Sequence, residues 1–370
     1  LFKKIAKWIG IGVALVVGIA LGGGLIYREV LRHRTGRMRA ITSPDGVDTL
    51  DFVTIGGIGQ WIEVRGESAK NPILLFLHGG PGTAFMPVAR GFQGPWEKYF
   101  TVVQWDQRGA GKTYSSNSKD VMRSTMNVQR MNADTVEVVN YLRGRFHRDK
   151  IFVIGHSWGT VLGLQLAHDH PELLYAYAGA GEVVNMRANE EAGYRDALDA
   201  ARRAQNQKAI QELTSVAPYP TAALEFRKIR IVREWEDTLL SPAAPDDSFA
   251  GPTAILAAPE YSLVNDVDWF RGQLFSIDVL LPELMKMDLS RMGYDFRVPV
   301  FFLEGRHDPF TSPVLAHEYF DRINAPEKQF VWFEKSGHFP FAGEPEKFTD
   351  FLVETMLPLA SERSGPDGPR

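Results

Sequence analysis

Hydroxyl, imidazole and carboxylate side chains recur in this chain in an order that suits nucleophilic attack on an acyl carbon. The pentapeptide Gly155-His156-Ser157-Trp158-Gly159 sets a serine between two glycines. Small residues on both sides are what a tight strand-to-helix turn needs if its central side chain is to stand exposed in a strained conformation. A serine hydroxyl is a weak nucleophile until a base takes its proton, and that base needs an orienting carboxylate. Further along, Glu304-Gly305-Arg306-His307-Asp308-Pro309 and Ser336-Gly337-His338-Phe339-Pro340 each follow an apolar run. Asp308 and His338 are therefore expected in loops beyond two strand ends. His338 would accept the Ser157 proton and later donate one to the leaving group, while Asp308 would fix the imidazole tautomer. Glu304 is the competing acid but falls in or beside its strand, and His307 precedes its own carboxylate in the wrong loop. His156 is expected to pack under the turn, and His168 and His170 to lie at the solvated end of a helix.

An oxyanion formed at the acyl carbon needs two N–H donors. The Trp158 N–H, just after the serine, is one candidate. Gly80, in His78-Gly79-Gly80-Pro81-Gly82, is the other, because glycines let backbone amides approach a ligand closely. A phosphate loop is the rival for that segment, but no Gly-Lys-Ser/Thr ending and no G-x-G-x-x-G leading into a helix is present. Asp106-Gln107-Arg108-Gly109 reads as a turn held by its own hydrogen bonds. The absence of cysteine excludes thiol nucleophiles, disulfides and thiolate metal sites. No His, Asp or Glu cluster has metal-ligand spacing, so neither metal nor cofactor is expected.

The elements that must position these residues alternate along the chain. Short strands are predicted at 51–55 and 60–64 around Gly56 and Gly57. Apolar runs at 72–77, 101–105, 150–154 and 173–178 suit strands buried on both faces of a parallel sheet. Helices are predicted through Val128, Met131, Val136, Val139 and Leu142, and over 161–168. The rhythm then gives way to polar helical stretches, such as 189–213, with breaks around Pro218, Pro220, Pro242 and Pro245. Strands resume at 298–303 and 329–333, and a closing helix is predicted over 345–357. The expected fold class is α/β, a mainly parallel sheet flanked by helices, with functional loops at the carboxyl ends of the strands. The core covers 45–184 and resumes over 292–360, and the segment 185–291 between them is an inserted helical cap. The composition of 361–370 is that of a disordered tail.

One segment departs from the soluble pattern. From Trp8 to Tyr27 there is no charge, with Lys3, Lys4 and Lys7 before it and Arg28 after it. About twenty apolar residues span a bilayer as a helix. Ala20 and Gly22 would also suit a cleaved signal peptide. The apolar run continues past them and meets arginines directly, which predicts an uncleaved, single-pass membrane anchor over 1–44, including its juxtamembrane segment. The side of the membrane stays open. A net charge of −4 on 370 residues is small, so no nucleic-acid partner is expected.

HGGPG, DQRGAGK, G-x-SWG, G-x-x-D and GH follow one another as in the proline iminopeptidases and their relatives among the α/β hydrolases, which this chain resembles over 73–357 apart from the cap. The resemblance implies an α/β-hydrolase fold and release of an N-terminal residue, often proline, from short peptides. It also implies cap glutamates that hold the substrate's amino group. Trp235-Glu236 looks like the family's Trp-Glu pair, and Glu260 resembles its second glutamate. Departures are His156 where the peptidases commonly have glycine, no His-Tyr-Phe run after Glu260, and the apolar N-terminal segment. The expected function is a serine hydrolase acting through an acyl-enzyme on a small-molecule or short-peptide substrate, aminopeptidase-like. Hydrolysis of carboxylic esters or lactones with the same triad is the alternative. A non-catalytic ligand-binding protein is the alternative of another class.

Overall fold

In the computed structural model, which describes residues 2–221, 225–241 and 251–362, the apolar runs become the inner strands of one eight-stranded sheet. Pro242, Pro245 and residues 363–370 of the expected tail lie outside the described residues. The strands are β1 Val47–Ile55, β2 Ile58–Gly66, β3 Ile73–Leu77, β4 Thr101–Asp106, β5 Ile151–His156, β6 Leu174–Ala180, β7 Val300–Gly305 and β8 Lys328–Phe333. Their spatial order is β1-β2-β4-β3-β5-β6-β7-β8. The pairs β1–β2 and β2–β4 are antiparallel, and all the others are parallel. Every residue of β3, β4, β5 and β7 is buried. Alternation still sorts them by face. Ile73, Leu75 and Leu77 join one apolar cluster, and Leu74 and Phe76 join the other. The hairpin between β1 and β2 turns on Gly56 and Gly57, both at positive φ (56° and 79°), which a two-residue turn of matching twist requires.

Helices cover both faces. In chain order the first are α1 Phe2–Met38, the short α2 Met86–Ala89, α3 Gly111–Ser116 and α4 Lys119–Thr125, then α5 Val128–Phe146 and α6 Trp158–Asp169. The cap is helical as expected: α7 Met186–Arg203, α8 Gln207–Ser215, α9 Phe226–Leu240, α10 Pro252–Leu256 and α11 Leu263–Leu284. The stretch 189–213 is two helices rather than one, because Asn206 accepts the Ala209 N–H (3.1 Å) and starts α8 afresh. Ala197, Ala201, Leu213, Val232 and Trp235 give the cap a small core of its own. Helix α11 fastens it to the body, the Ser276 hydroxyl donating to the Gly109 carbonyl at 3.0 Å.

Helix α1 is a single helix of 37 residues, long and apolar enough to cross a membrane, a test a signal sequence also meets. It runs on through the basic stretch beyond Tyr27, where Arg28 does not remain a solvated flank. Arg28 and Asp266 form a buried ion pair at 2.7 Å, and Arg28 also donates to the Tyr261 carbonyl at 3.0 Å. Arg32 reaches the carbonyls of Ala258 (3.2 Å) and Pro259 (2.8 Å). The last third of α1 is thus tied to the segment between α10 and α11 and to the first turns of α11.

The turn after β4 is held by a buried ion pair. Arg108 Nε lies 2.9 Å from Asp134 Oδ2 on α5, with both side chains wholly enclosed, and its Nη2 donates to the Gly56 carbonyl at 2.8 Å. Asp134 also accepts from Gln60 (2.9 Å) and Arg130 (2.7 Å), which ties the first hairpin, the turn and α5 together. Removing the carboxylate would strand a buried guanidinium. Asp134→Ala is expected to cost about 3–5 kcal/mol in urea unfolding, and Asp134→Asn less.

Candidate active site

Strand β5 passes into α6 through Ser157, whose backbone lies at φ 53°, ψ −121°, in the region L side chains rarely occupy. The residues two places to either side must be glycine. A Cβ on Gly155 would stand 2.6 Å from the Gly159 oxygen, and one on Gly159 would stand 2.0 Å from the Leu77 oxygen. The Ser157 N–H donates to the Ala180 carbonyl at 3.0 Å, and the Ser157 carbonyl accepts from Thr160 at 2.8 Å. Trp158 opens α6, so its N–H belongs to the first turn, where no intrahelical acceptor exists.

His338, in the loop after β8, has Nδ1 2.8 Å from Asp308 Oδ2. Asp308, in the loop after β7, also accepts the N–H groups of Phe310 (2.8 Å) and Thr311 (2.9 Å) and the Thr311 hydroxyl. Burial alone would raise the Asp308 carboxyl, but His338 and the Thr311 donors hold it below its ordinary value. An ionised Asp308 fixes the proton on Nδ1 and leaves the Nε2 lone pair for the cavity. Glu304, the competing acid, lies inside β7, and its carboxylate accepts the Glu182 N–H at 2.9 Å.

His156 packs under the turn. Its Nε2 donates to the His338 carbonyl at 2.8 Å, and burial pushes its imidazole well below the ordinary histidine range, so it is neutral. The residue before the serine therefore supports the loop that carries the imidazole.

The His78–Gly82 loop lies across the serine: a Cβ on Gly79 would stand 3.0 Å from the Ser157 Cβ. Gln107 joins this loop to α6. Its Nε2 donates to the His78 carbonyl (3.2 Å), and its Oε1 accepts from the Trp158 indole (3.0 Å). Ser157, His338, Gly80 and Trp158 line one cavity of about 420 Å³, with Asp308 behind the imidazole. Most of the remaining wall is apolar, including Val161, Met186, Leu281 and Phe310.

The cap contributes a charged cluster. Arg233 Nη1 donates to Glu236 at 2.6 Å, its Nη2 pairs with Glu190, and the Tyr219 hydroxyl donates to Glu190. Glu190 and Arg233 line the cavity, while Glu236 stands behind them, with its Oε1 buried and without a hydrogen-bond partner. Burial, opposed by Arg233 and reinforced by Glu190, pushes the Glu236 carboxyl up to about 7. Glu260 is not brought to the cavity. Its carboxylate pairs with Arg90 beside the buried Glu63, so its charge is already met. Glu190, Arg233 and Gln107 were not picked out from the sequence. Arg233 did carry a signal, standing three residues before Glu236 on one helical face.

Residues 72–345 match the family described as the α/β hydrolase fold. The chain belongs to that family. Among curated α/β hydrolases it is similar to the probable aminopeptidase YbaC of Bacillus subtilis strain 168, 32% identical over 302 residues, covering 81% of this chain and 93% of that protein. It is also similar to the proline iminopeptidase of Neisseria gonorrhoeae, 24% identical, covering 80% and 93%. Among solved structures the fold is shared with VinJ, at a TM-score of 0.62 and 20% identity, covering 84% of this chain and 99% of that one. This α/β hydrolase is accordingly a hydrolytic enzyme, related to the proline iminopeptidase branch at low identity.

Below the site, the Tyr177 hydroxyl donates to Glu182 at 2.8 Å, and burial pushes the Glu182 carboxyl from 4.5 up to about 8. The folded hydrolase then binds a proton that the unfolded chain has lost between those two values. This contribution is full below about pH 4.5 and disappears as pH rises through 8. Glu182→Gln, which keeps an acceptor for Tyr177, should flatten the fall in Tm between pH 5 and 8 in a thermal scan.

Proposed function

We propose that this α/β hydrolase is a serine hydrolase working through an acyl-enzyme. The observation that carries it is the 2.8 Å bond from His338 Nδ1 to the buried, ionised Asp308, with Nε2 left to the cavity that Ser157 also lines. In the first step the Ser157 oxygen bonds to the substrate's acyl carbon as His338 Nε2 takes the hydroxyl proton. The oxyanion is held by the N–H groups of Trp158 and Gly80, with Gln107 positioning the segments that carry both. His338 then returns the proton to the leaving amine or alcohol. Water then bonds to the acyl carbon as the same imidazole takes its proton, and the acyl bond to Ser157 breaks as that proton passes to the serine oxygen.

For the substrate, the first reading is release of an N-terminal residue. In support, Glu190 lines the cavity with Glu236 behind it, two carboxylates on the one guanidinium of Arg233, and an arriving ammonium would favour the ionised form of Glu236, which is otherwise pushed up to about 7. Glu260 has no part in it, being paired with Arg90. Ester hydrolysis is the second reading, favoured by the mostly apolar cavity wall and by the counter-ion the cluster already holds. We further read α1 as a retained membrane anchor. In support, the helix passes unbroken through the point a signal peptidase would cut, and its most apolar stretch is left unburied by the described residues.

A fluorophosphonate probe should label the folded enzyme but not Ser157→Ala; an unlabelled wild type would count against the nucleophile. Asp308→Asn should lower kcat about 10⁴-fold by inverting the tautomer of His338. Glu236→Gln should depress turnover of proline and alanine arylamides about tenfold more than that of short-chain aryl esters, and equal losses would reject the ammonium role. In alkaline carbonate extraction the intact chain should stay with the membranes.

A further inference from the structure

Helix α11 carries apolar residues on both its inward and its outward side. Inward lie Trp269, Phe275, Leu280, Leu281 and Leu284, with Asp266, Asp268 and Ser276 buried among them. Its outward side carries Val264, Val267, Phe270 and Leu274, which are 64, 51, 49 and 52% exposed. Their spacing of three, three and four puts them on one stripe. The acids have reasons to face inward: Asp266 meets Arg28 at 2.7 Å and Asp268 accepts from Ser115 at 3.0 Å. Single exposed apolar residues need no explanation, but a contiguous stripe of four on a helix whose other side already fills the core marks a surface with a partner.

The two ends of the stripe indicate what that partner is. At its start, Asp266 is bonded to Arg28, the residue that directly follows the uncharged segment of α1. The apolar face therefore begins where the spanning segment ends. At the other end, Leu274 and Ile277 line the catalytic cavity, joined by Phe226 of α9, itself 42% exposed. Arg34 and Arg37, exposed on the adjoining turns of α1, would meet anionic headgroups.

We infer that α11 lies along the membrane that α1 spans, its apolar stripe at the boundary between headgroups and acyl chains and the mouth of the catalytic cavity turned toward lipid. This rests on the reading of α1 as a retained anchor. The substrates such a mouth takes are amphiphiles dissolved in the bilayer, with an apolar chain and an ester or amide near the polar end. They reach Ser157 along Leu274 and Ile277 without crossing water.

The chain contains no cysteine, so one introduced at will is a unique labelling site. Full-length Val267→Cys, Trp8→Cys and Asn140→Cys proteins, the last labelled on α5 away from the stripe, would carry an environment-sensitive fluorophore in vesicles with brominated acyl chains. The expected result is quenching at 267 and at 8 and none at 140. Quenching at 8 alone would overturn the docking of α11 and leave the anchor standing, whereas quenching at neither 8 nor 267 would overturn both. A blue shift at 267 without quenching would put a second copy of the protein on the stripe and also overturn the inference. In a kinetic arm, combined Val264→Ser, Val267→Ser and Phe270→Ser changes should lower turnover of a long-chain ester embedded in vesicles about tenfold while leaving a water-soluble short-chain ester unaffected. Equal effects on both would overturn the lipid-facing mouth, and failure of wild type to hydrolyse either would sink the serine hydrolase reading separately from the quenching result.

Discussion

At residue 157 the backbone leaves a strand and enters a helix within a space too small for a methyl group on either flanking glycine. Much of the site follows from that crowding. The carbonyl of Leu77 at the end of β3 and the first turn of α6 are in contact, and the parallel strands β3, β5, β7 and β8 end at one edge of the sheet, so their loops carry Gly80, Ser157, Asp308 and His338 to the same side. A non-glycine residue at φ 53° costs of order 1–3 kcal/mol, and it persists because β3 and β6 hold β5 on both sides. The side chain so exposed sits over the carboxyl ends of parallel strands, where open α/β sheets hold their ligands.

Around this turn the polar groups are arranged in tiers. Behind the imidazole, Asp308 is surrounded by donors and ionised. One step below, His156 is neutral, as is His78, which burial pushes down to about 4. Deeper still, Glu182 is pushed up to about 8 and Glu304 well above its ordinary value. All of these groups are buried, and desolvation pushes each toward its neutral form; Asp308 stays ionised because the His338 imidazole and the Thr311 donors offset it.

The fold and the residues at strand ends were legible because their signals are local. A glycine pair around a serine, a strand running into a loop with a histidine and short apolar runs all depend on neighbours in sequence, and those strands formed within a few residues of where periodicity put them. The resemblance to the iminopeptidases added the order of motifs. What stayed hidden was set by distance in sequence. Glu190 and Arg233 read as surface charges on polar helices, and only the packing of α7 on α9 encloses them. Glu260 had a suitable neighbour in Tyr261, but Arg90, 170 residues away, is what it meets. Gln107 looked like a piece of a turn, and its contacts to His78 and Trp158 arise from the sheet order alone. Arg28 looked like a membrane flank, yet its charge is met by Asp266, far along the chain.

The contact between His156 and the His338 carbonyl has a mechanical side. His156 is covalently next to the serine, so this single bond makes the hydroxyl and the imidazole members of one stiff block. A displacement of the cap relative to the sheet would carry that block as a whole. On the serine-hydrolase reading, the spacing between hydroxyl and imidazole is thereby tied to the backbone beneath them rather than to the cap above.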